Sequence, residues 1–446
     1  MSRRKILLIT IAAILGSSMV MLGESVTNLA LPAIGHYFHV PFSSLQWVVD
    51  GYNLSLSALI LFGGGLGDML GLRRVYLWST AAFLCISLLC VFAWSSLALI
   101  ILRALLGVAG ALLTPVSLAV LNAQLPENLR SRAIGQWTAW TTIVLALGPL
   151  VGGYFIQVFS WQSIFLVNIP LGLVAFGLGY LSLDKKLTPD KNISIDWAGV
   201  GLGFVSLLGI TYGLIEGPTL GWNTATLGAL VIGVFAFISF VLWEKRATYP
   251  LIDLALFRNK NFSATNAATF MLYAAFAGFG FVFAIYLQTL GGYTSTMTGA
   301  ALIPASLLLA LFSGRIGTLS ATWGPRLFMS AGPVMCAAGM LFLLPLQPHA
   351  SYLFDVLPGI ILFGIGLTLT VAPLTATALN SAPEEKSGIA SAVNNGVASV
   401  GPLIAIALLG LFGSGNIYPF AVVLCAALAI LSGVTSFVFI RNATHN

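Results

Sequence analysis

Charge is what this chain has least of: Asp, Glu, Lys and Arg make up only 7% of its 446 residues. A soluble domain carries roughly 25%, so water is not the main solvent of this sequence. Histidine is nearly as scarce, and His36, His39, His349 and His445 are dispersed. That dispersal leaves no zinc site and no Ser-His-Asp arrangement. The four cysteines, Cys85, Cys90, Cys336 and Cys425, all lie inside apolar runs, with neither metal-type spacing nor a disulfide framework. Gly63-Gly64-Gly65 follows no strand and lacks the Lys-Ser/Thr of a nucleotide loop. No metal, no cofactor and no ATP drive is therefore expected. An A-x-A-like cleavage site is also missing, because the apolar stretch from Ile6 runs on past Met21.

What is present is apolar sequence: 58% of the residues, with a mean hydropathy of +0.99. A spanning helix needs about 20 such residues to cross about 30 Å. That ruler places spans 1–6 near 6–32, 44–69, 74–94, 96–122, 133–158 and 161–182. Spans 7 and 8 follow at 197–216 and 223–243. Spans 9–14 lie near 263–288, 295–317, 327–347, 352–376, 387–411 and 416–440. The runs lack the alternation of barrel strands, so an all-α polytopic membrane protein of 14 transmembrane helices is expected.

The net charge of +6 does not read as a nucleic-acid surface, because the basic residues cluster between apolar runs. With the N-terminus inside, the inner connections hold Arg3/Arg4/Lys5, Arg73/Arg74, Arg130/Arg132, Lys185/Lys186/Lys191, Lys245/Arg246/Arg258/Lys260, Arg326, Lys386 and Arg441. Arg315 joins them at the inner end of its span. Of 19 basic residues only Arg103 is left over, and it falls within a span. Such a bias requires both termini on the cytoplasmic side of an inner (plasma) membrane.

An internal repeat organises the spans. Gly64–Arg73 recurs, degenerate, as Gly317–Arg326, an offset of 253. Gly148-Pro149-Leu150 matches Gly401-Pro402-Leu403 at the same offset, and Gly135 matches Gly388. Residues 1–183 then form one six-helix bundle and 263–446 its equivalent, with spans 7 and 8 inserted in 184–262. Two parallel halves of this kind are the layout of transporters that rock about a midplane site.

The sequence resembles the major facilitator superfamily, and within it the fourteen-helix drug:proton antiporters of bacteria. The resemblance is carried by Asn28-Leu29-Ala30-Leu31-Pro32 ending span 1, Gln46-Trp47 opening span 2, and Gly64–Arg74 in the loop after it. Arg103-x-x-x-Gly107 in span 4, Gly148-Pro149-x-x-Gly152-Gly153 in span 5, and Trp161 with Phe165–Gly172 in span 6 add to it. It implies two six-helix bundles plus two inserted helices, and proton-coupled efflux of small amphipathic or drug-like molecules. The chain departs from the family pattern at Gly23, where an Asp is usual and Glu24 stands beside it. Leu106, Met69 and Leu72 also differ.

Candidate site residues follow from both lines. Asp68 ends span 2, and Gly71 lets the chain turn before Arg73 and Arg74. With Gly64 these form a cytoplasmic latch in the family, or else simply hold the loop inside. Gly148, Pro149, Gly152 and Gly153 bare one face of span 5, matching an antiporter signature or serving only as a packing seam. Glu24, Asp50 and Arg103 lie well inside spans, where ionisable groups are expensive and pair or line water. By rise per residue, all three fall in the outer third of the first half. Two readings stand: Arg103 modulates a proton-carrying carboxylate, Glu24 first and Asp50 second, or Asp50 and Arg103 form a permanent ion pair. Asn28, Tyr273, Phe276, Asn394 and Asn395 are weaker candidates for substrate contact. Phe279 extends the aromatic stripe of span 9.

The expected partners are a small-molecule substrate, protons and the lipid bilayer, and the fold needs no second copy. The alternatives are a specific metabolite exporter or importer, a membrane scaffold or sensor, and a membrane-embedded enzyme. The last would need a His/Asp/Glu cluster at one depth, which the sequence does not supply.

Overall fold

The computed structural model describes residues 2–184, 196–383, 386–412 and 417–442. Lys185, Lys186, Lys191 and His445 lie outside them. The regular structure of the described residues is helical. The helices are α1 (Arg3–Ser25), α2 (Thr27–Phe38), α3 (Phe42–Leu70), α4 (Leu72–Val91), α5 (Ser96–Gln124), α6 (Glu127–Val158), α7 (Ser163–Leu166) and α8 (Asn168–Ser182). Next come α9 (Trp197–Leu220) and α10 (Thr224–Glu244). The remainder are α11 (Lys260–Thr289), α12 (Ser295–Ala301), α13 (Ile303–Trp323), α14 (Pro325–Phe342), α15 (Leu357–Asn380), α16 (Ser387–Leu409) and α17 (Ile417–Phe439). Among the described residues, 14 helical stretches are long and apolar enough to cross a membrane, the number expected from the sequence.

Polar side chains start several of these helices by accepting from main-chain donors that a first turn leaves unpaired. Ser95 accepts from Ala98 N at 3.1 Å, Asn259 from Asn261 N at 2.9 Å, and Thr294 from Met297 N at 3.2 Å. The first span differs from expectation. α1 stops at Ser25 and α2 carries the chain on to Phe38, where His39 in the left-handed region closes it. The Asn28–Pro32 run therefore lies inside α2 rather than ending the span. Pro32 has no N–H to give back to the preceding turn, but the helix continues around it.

The chain forms two compact units, 1–208 with 235–251, and 209–234 with 252–446. The inserted helices α9 and α10 contribute to both. In the first unit α1 packs on α5, α6 and α8, α3 on α5, and α4 on α5 and α8. In the second α11 packs on α15, α16 and α17, α13 on α15, and α14 on α15 and α17. The scheme is the same, which gives the repeat of offset 253 a three-dimensional counterpart.

The turns agree in detail. Gly71 (φ 95°) separates α3 from α4, and Gly324 (φ 88°) separates α13 from α14. Both are left-handed positions where a Cβ would be strained. Two residues on, Arg73 donates to the Tyr180 carbonyl at 3.0 Å and stacks over its ring, while Arg326 does the same to Phe437 at 2.6 Å. In each unit the last helix is also tied to the start of the first. Lys5 pairs with Asp184 at 2.6 Å, and Asn261 exchanges two hydrogen bonds with the Arg441 main chain.

Candidate functional site

The site is built where α1, α3 and α5 meet. Gly63 and Gly107 let α3 and α5 close on each other's main chain, since a Cβ on either would strike a carbonyl of Ala111 or Tyr52. One turn before Gly107, Arg103 is fully buried. Its Nε donates to the Val48 carbonyl at 3.0 Å and its Nη1 to the Gly23 carbonyl at 3.0 Å. The guanidinium lies 4.3 Å from the centre of the Tyr52 ring, and the Tyr52 hydroxyl donates to the Val20 carbonyl at 3.1 Å. One side chain from α5 thus clasps α1 and α3 by their main chains.

The clasp sits at the interruption of the first span. Gly23 O also accepts from Thr27 Oγ1 at 2.7 Å, just before the helix breaks at Val26. A carbonyl so placed inside a membrane needs a donor, and Arg103 supplies one. Arg103 makes no ion pair with Asp50, whose two carboxylate oxygens lie beyond hydrogen-bonding reach of any donor among the described residues. Of the two readings of these charges, the permanent Asp50–Arg103 bridge is not formed. The arginine is held by carbonyl dipoles instead.

The two carboxylates sit differently. Asp50 is fully buried and neither of its oxygens accepts a hydrogen bond within ordinary geometry. Asn53 faces it from the next turn of α3. Glu24 is half-buried and lies within the field of Arg103 without touching it. The reason is rotational. Position 23, where the family has Asp, faces Phe83 and Leu106, whereas Glu24 is about 100° further round the helix.

The bared face of α6 packs on the same segment of α1. A Cβ at Gly148 would meet the Ser25 hydroxyl at 2.7 Å, and one at Gly152 would overlap Val26. Gly153 is buried beside them, and Pro149 sits within the helix between Gly148 and Gly152. Trp137, which belongs to none of the sequence motifs, donates from α6 to Ser17 Oγ on α1 at 3.0 Å. Beside this seam an apolar cavity of about 650 Å³ is lined by Trp140, Phe155, Phe159 and Leu166, with Leu22 and Gly148.

The other candidates are dispersed. Asp68 and Arg74 are exposed and Gly64 is half-buried. Arg73 donates to the Tyr180 carbonyl on α8. In the second unit Asn394 is buried and donates to Asn266 Oδ1 at 3.2 Å and Thr269 Oγ1 at 2.9 Å, a clasp between α16 and α11. Asn395, next to it, is exposed. Tyr273 and Phe276 are half-buried; Phe276 and Phe279 pack on Phe363 of α15 with ring centres 5.4 and 5.5 Å away. Asn28 is half-buried on α2, with its Oδ1 buried and unpartnered.

Residues 13–406 match the family model of the Major Facilitator Superfamily. The chain belongs to that superfamily. Among its relatives is the multidrug resistance protein Stp of Mycobacterium tuberculosis (strain CDC 1551 / Oshkosh), 33% identical over 406 residues, 91% of this chain and 75% of that protein. Another is the methylenomycin A resistance protein of Bacillus subtilis (strain 168), 32% identical over 457 residues, 98% of this chain and 95% of that protein. In fold it is similar to the crystal structure of the POT-family transporter PepTSo. The TM-score is 0.71 at 15% identity, over 98% of each chain. This superfamily member is a multi-pass protein of the bacterial plasma membrane.

Proposed function

We propose that the protein is a secondary active transporter that exports small amphipathic organic molecules by alternating access, in exchange for protons. The observation that carries this is the intramembrane cluster around Arg103. A buried cation is held on main-chain carbonyls, and a half-buried carboxylate, Glu24, stands in its field on an interrupted helix. A carboxylate locked in an ion pair would not exchange a proton readily; Glu24 is not locked, and it has an exposed face. Asp50, fully buried, is the second candidate. Efflux is supported by relatives named for drug resistance, since a membrane pump protects a cell only by lowering the internal drug concentration.

In this reading both termini are cytoplasmic, the protein works as a monomer, and the Gly64–Arg74 loop closes the cytoplasmic side. The apolar cavity beside Gly148 receives the apolar part of the substrate, two residues from Glu24 at Leu22. Binding of cargo against α6 then presses on the seam that holds Glu24, which is a physical route for coupling. Proteoliposomes with an imposed pH gradient test it. Uptake of an amphipathic dye driven by the gradient is expected in the wild type and lost in Glu24→Gln. Full gradient-driven transport by Glu24→Gln would remove Glu24 from the mechanism.

A further inference from the structure

The repeat exposes a difference between the two units that transport does not use. In the second unit a groove of about 730 Å³ runs between α14 and α17, lined by apolar surface along Ser330, Ala331, Val334, Gly433 and Phe437. Arg326 stands at one end. Its Nε is fixed on the Phe437 carbonyl at 2.6 Å, and its guanidinium lies 4.6 Å from the centre of the Phe437 ring. Its Nη groups donate to no protein atom among the described residues. The guanidinium is therefore oriented, half-exposed and left with donors for a bidentate acceptor.

In the first unit the same Arg–aromatic pair, Arg73 with Tyr180, has larger residues at the equivalent positions. At the offset of 253, Leu77 and Trp78 stand where α14 has Ser330 and Ala331. Aligned on the arginine's ring partner, Phe176 stands where α17 has Gly433, and it stacks on Tyr180 at 6.5 Å. Three large side chains are thus replaced by Ser, Ala and Gly in the second unit. Those smaller residues line the groove.

We propose that this groove binds an anionic phospholipid, its phosphate on Arg326 and one acyl chain along Ser330, Ala331, Val334 and Gly433. The occupant follows from the lining. The walls are apolar and lie on spanning helices, which calls for an alkyl chain. Among the described residues that line the groove Arg326 is the charged one and none is a carboxylate, which calls for a single negative headgroup rather than a zwitterion. Basic residues between spanning helices favour anionic lipid in this way. The proposal does not depend on the transport reading.

The test uses the full-length protein in nanodiscs of equal phosphatidylglycerol and phosphatidylcholine, with bound lipid counted by native mass spectrometry. The wild type is expected to retain phosphatidylglycerol about fivefold over phosphatidylcholine. Arg326→Ala should remove the preference. Ala331→Trp, which restores the side chain of the first unit, should lose the lipid with Arg326 intact; Ser330→Leu gives the same reading if the tryptophan variant does not reconstitute. Equal retention of both lipids by the wild type, or undiminished phosphatidylglycerol on the groove-filling variants, overturns the proposal.

Discussion

Arginine offers five N–H donors in a planar fork, and Arg103 directs two of them to carbonyls of two different spans. Lysine carries the same charge on a single nitrogen and cannot reach both carbonyls with the same geometry while stacking on Tyr52. Arg103→Lys should therefore destabilise the protein despite conserving charge. One buried acceptor left without its donor costs about 1–3 kcal/mol. The expected outcome is a lower melting temperature for Arg103→Lys in detergent, with Asp50→Asn close to the wild type because no ion pair is broken. If Asp50→Asn and Arg103→Ala lose stability together, and the double variant loses no more than either, the carbonyl clasp is wrong. Sequence placed Arg103 within a span and so called for a partner. It did not name the neighbour, because a main-chain carbonyl leaves no trace in residue identity.

At the scale of elements, the seam between α1 and α6 couples the cavity to Glu24. Gly152 is closed against Val26, so any side chain there forces the helices apart; overpacking of this kind costs about 1–3 kcal/mol. Gly152→Ala should lower both the melting temperature and gradient-driven transport. Val26→Ala on that background should restore both, since it removes the methyl groups that clash. Rescue of stability without rescue of transport would give the seam a role beyond packing, whereas no rescue of either would show that Gly152 does not meet Val26. The same scale shows what residue patterns hide. Asn394, near the middle of span 13, read as a cavity residue by depth alone. The direction of its side chain, into α11, depends on how the helices are rotated against one another.

At the scale of the whole molecule, one ion pair outside the spans bears on stability against pH. Lys386 donates to Asp253 at 2.7 Å, and that hydrogen bond, helped by the main-chain N–H of Ala255, holds the Asp253 carboxyl below its usual range. A carboxyl lowered in the folded state stabilises above its unfolded pKa of about 3.9 and loses that contribution as pH falls through the folded value. The pair is partly exposed, so its worth is about 0.2–1 kcal/mol. Wild type and Asp253→Asn should differ in melting temperature by a small constant amount from about pH 5 to 8, and converge in acid. A gap that widens toward low pH would reverse the sign and reject the assignment.

The sequence by itself determined the number of spans, because crossing a bilayer sets a length and a polarity that each segment must meet alone. It also carried the repeat, the turn at Gly71 and the family, since those are written in short runs of adjacent residues. Only the tertiary structure decided that Arg103 is held by carbonyls, that Asn394 turns toward α11, and that a groove opens beside Arg326. Each of those depends on the rotation and separation of packed helices, and a difference of about 100° or one methyl group is enough to change the partner.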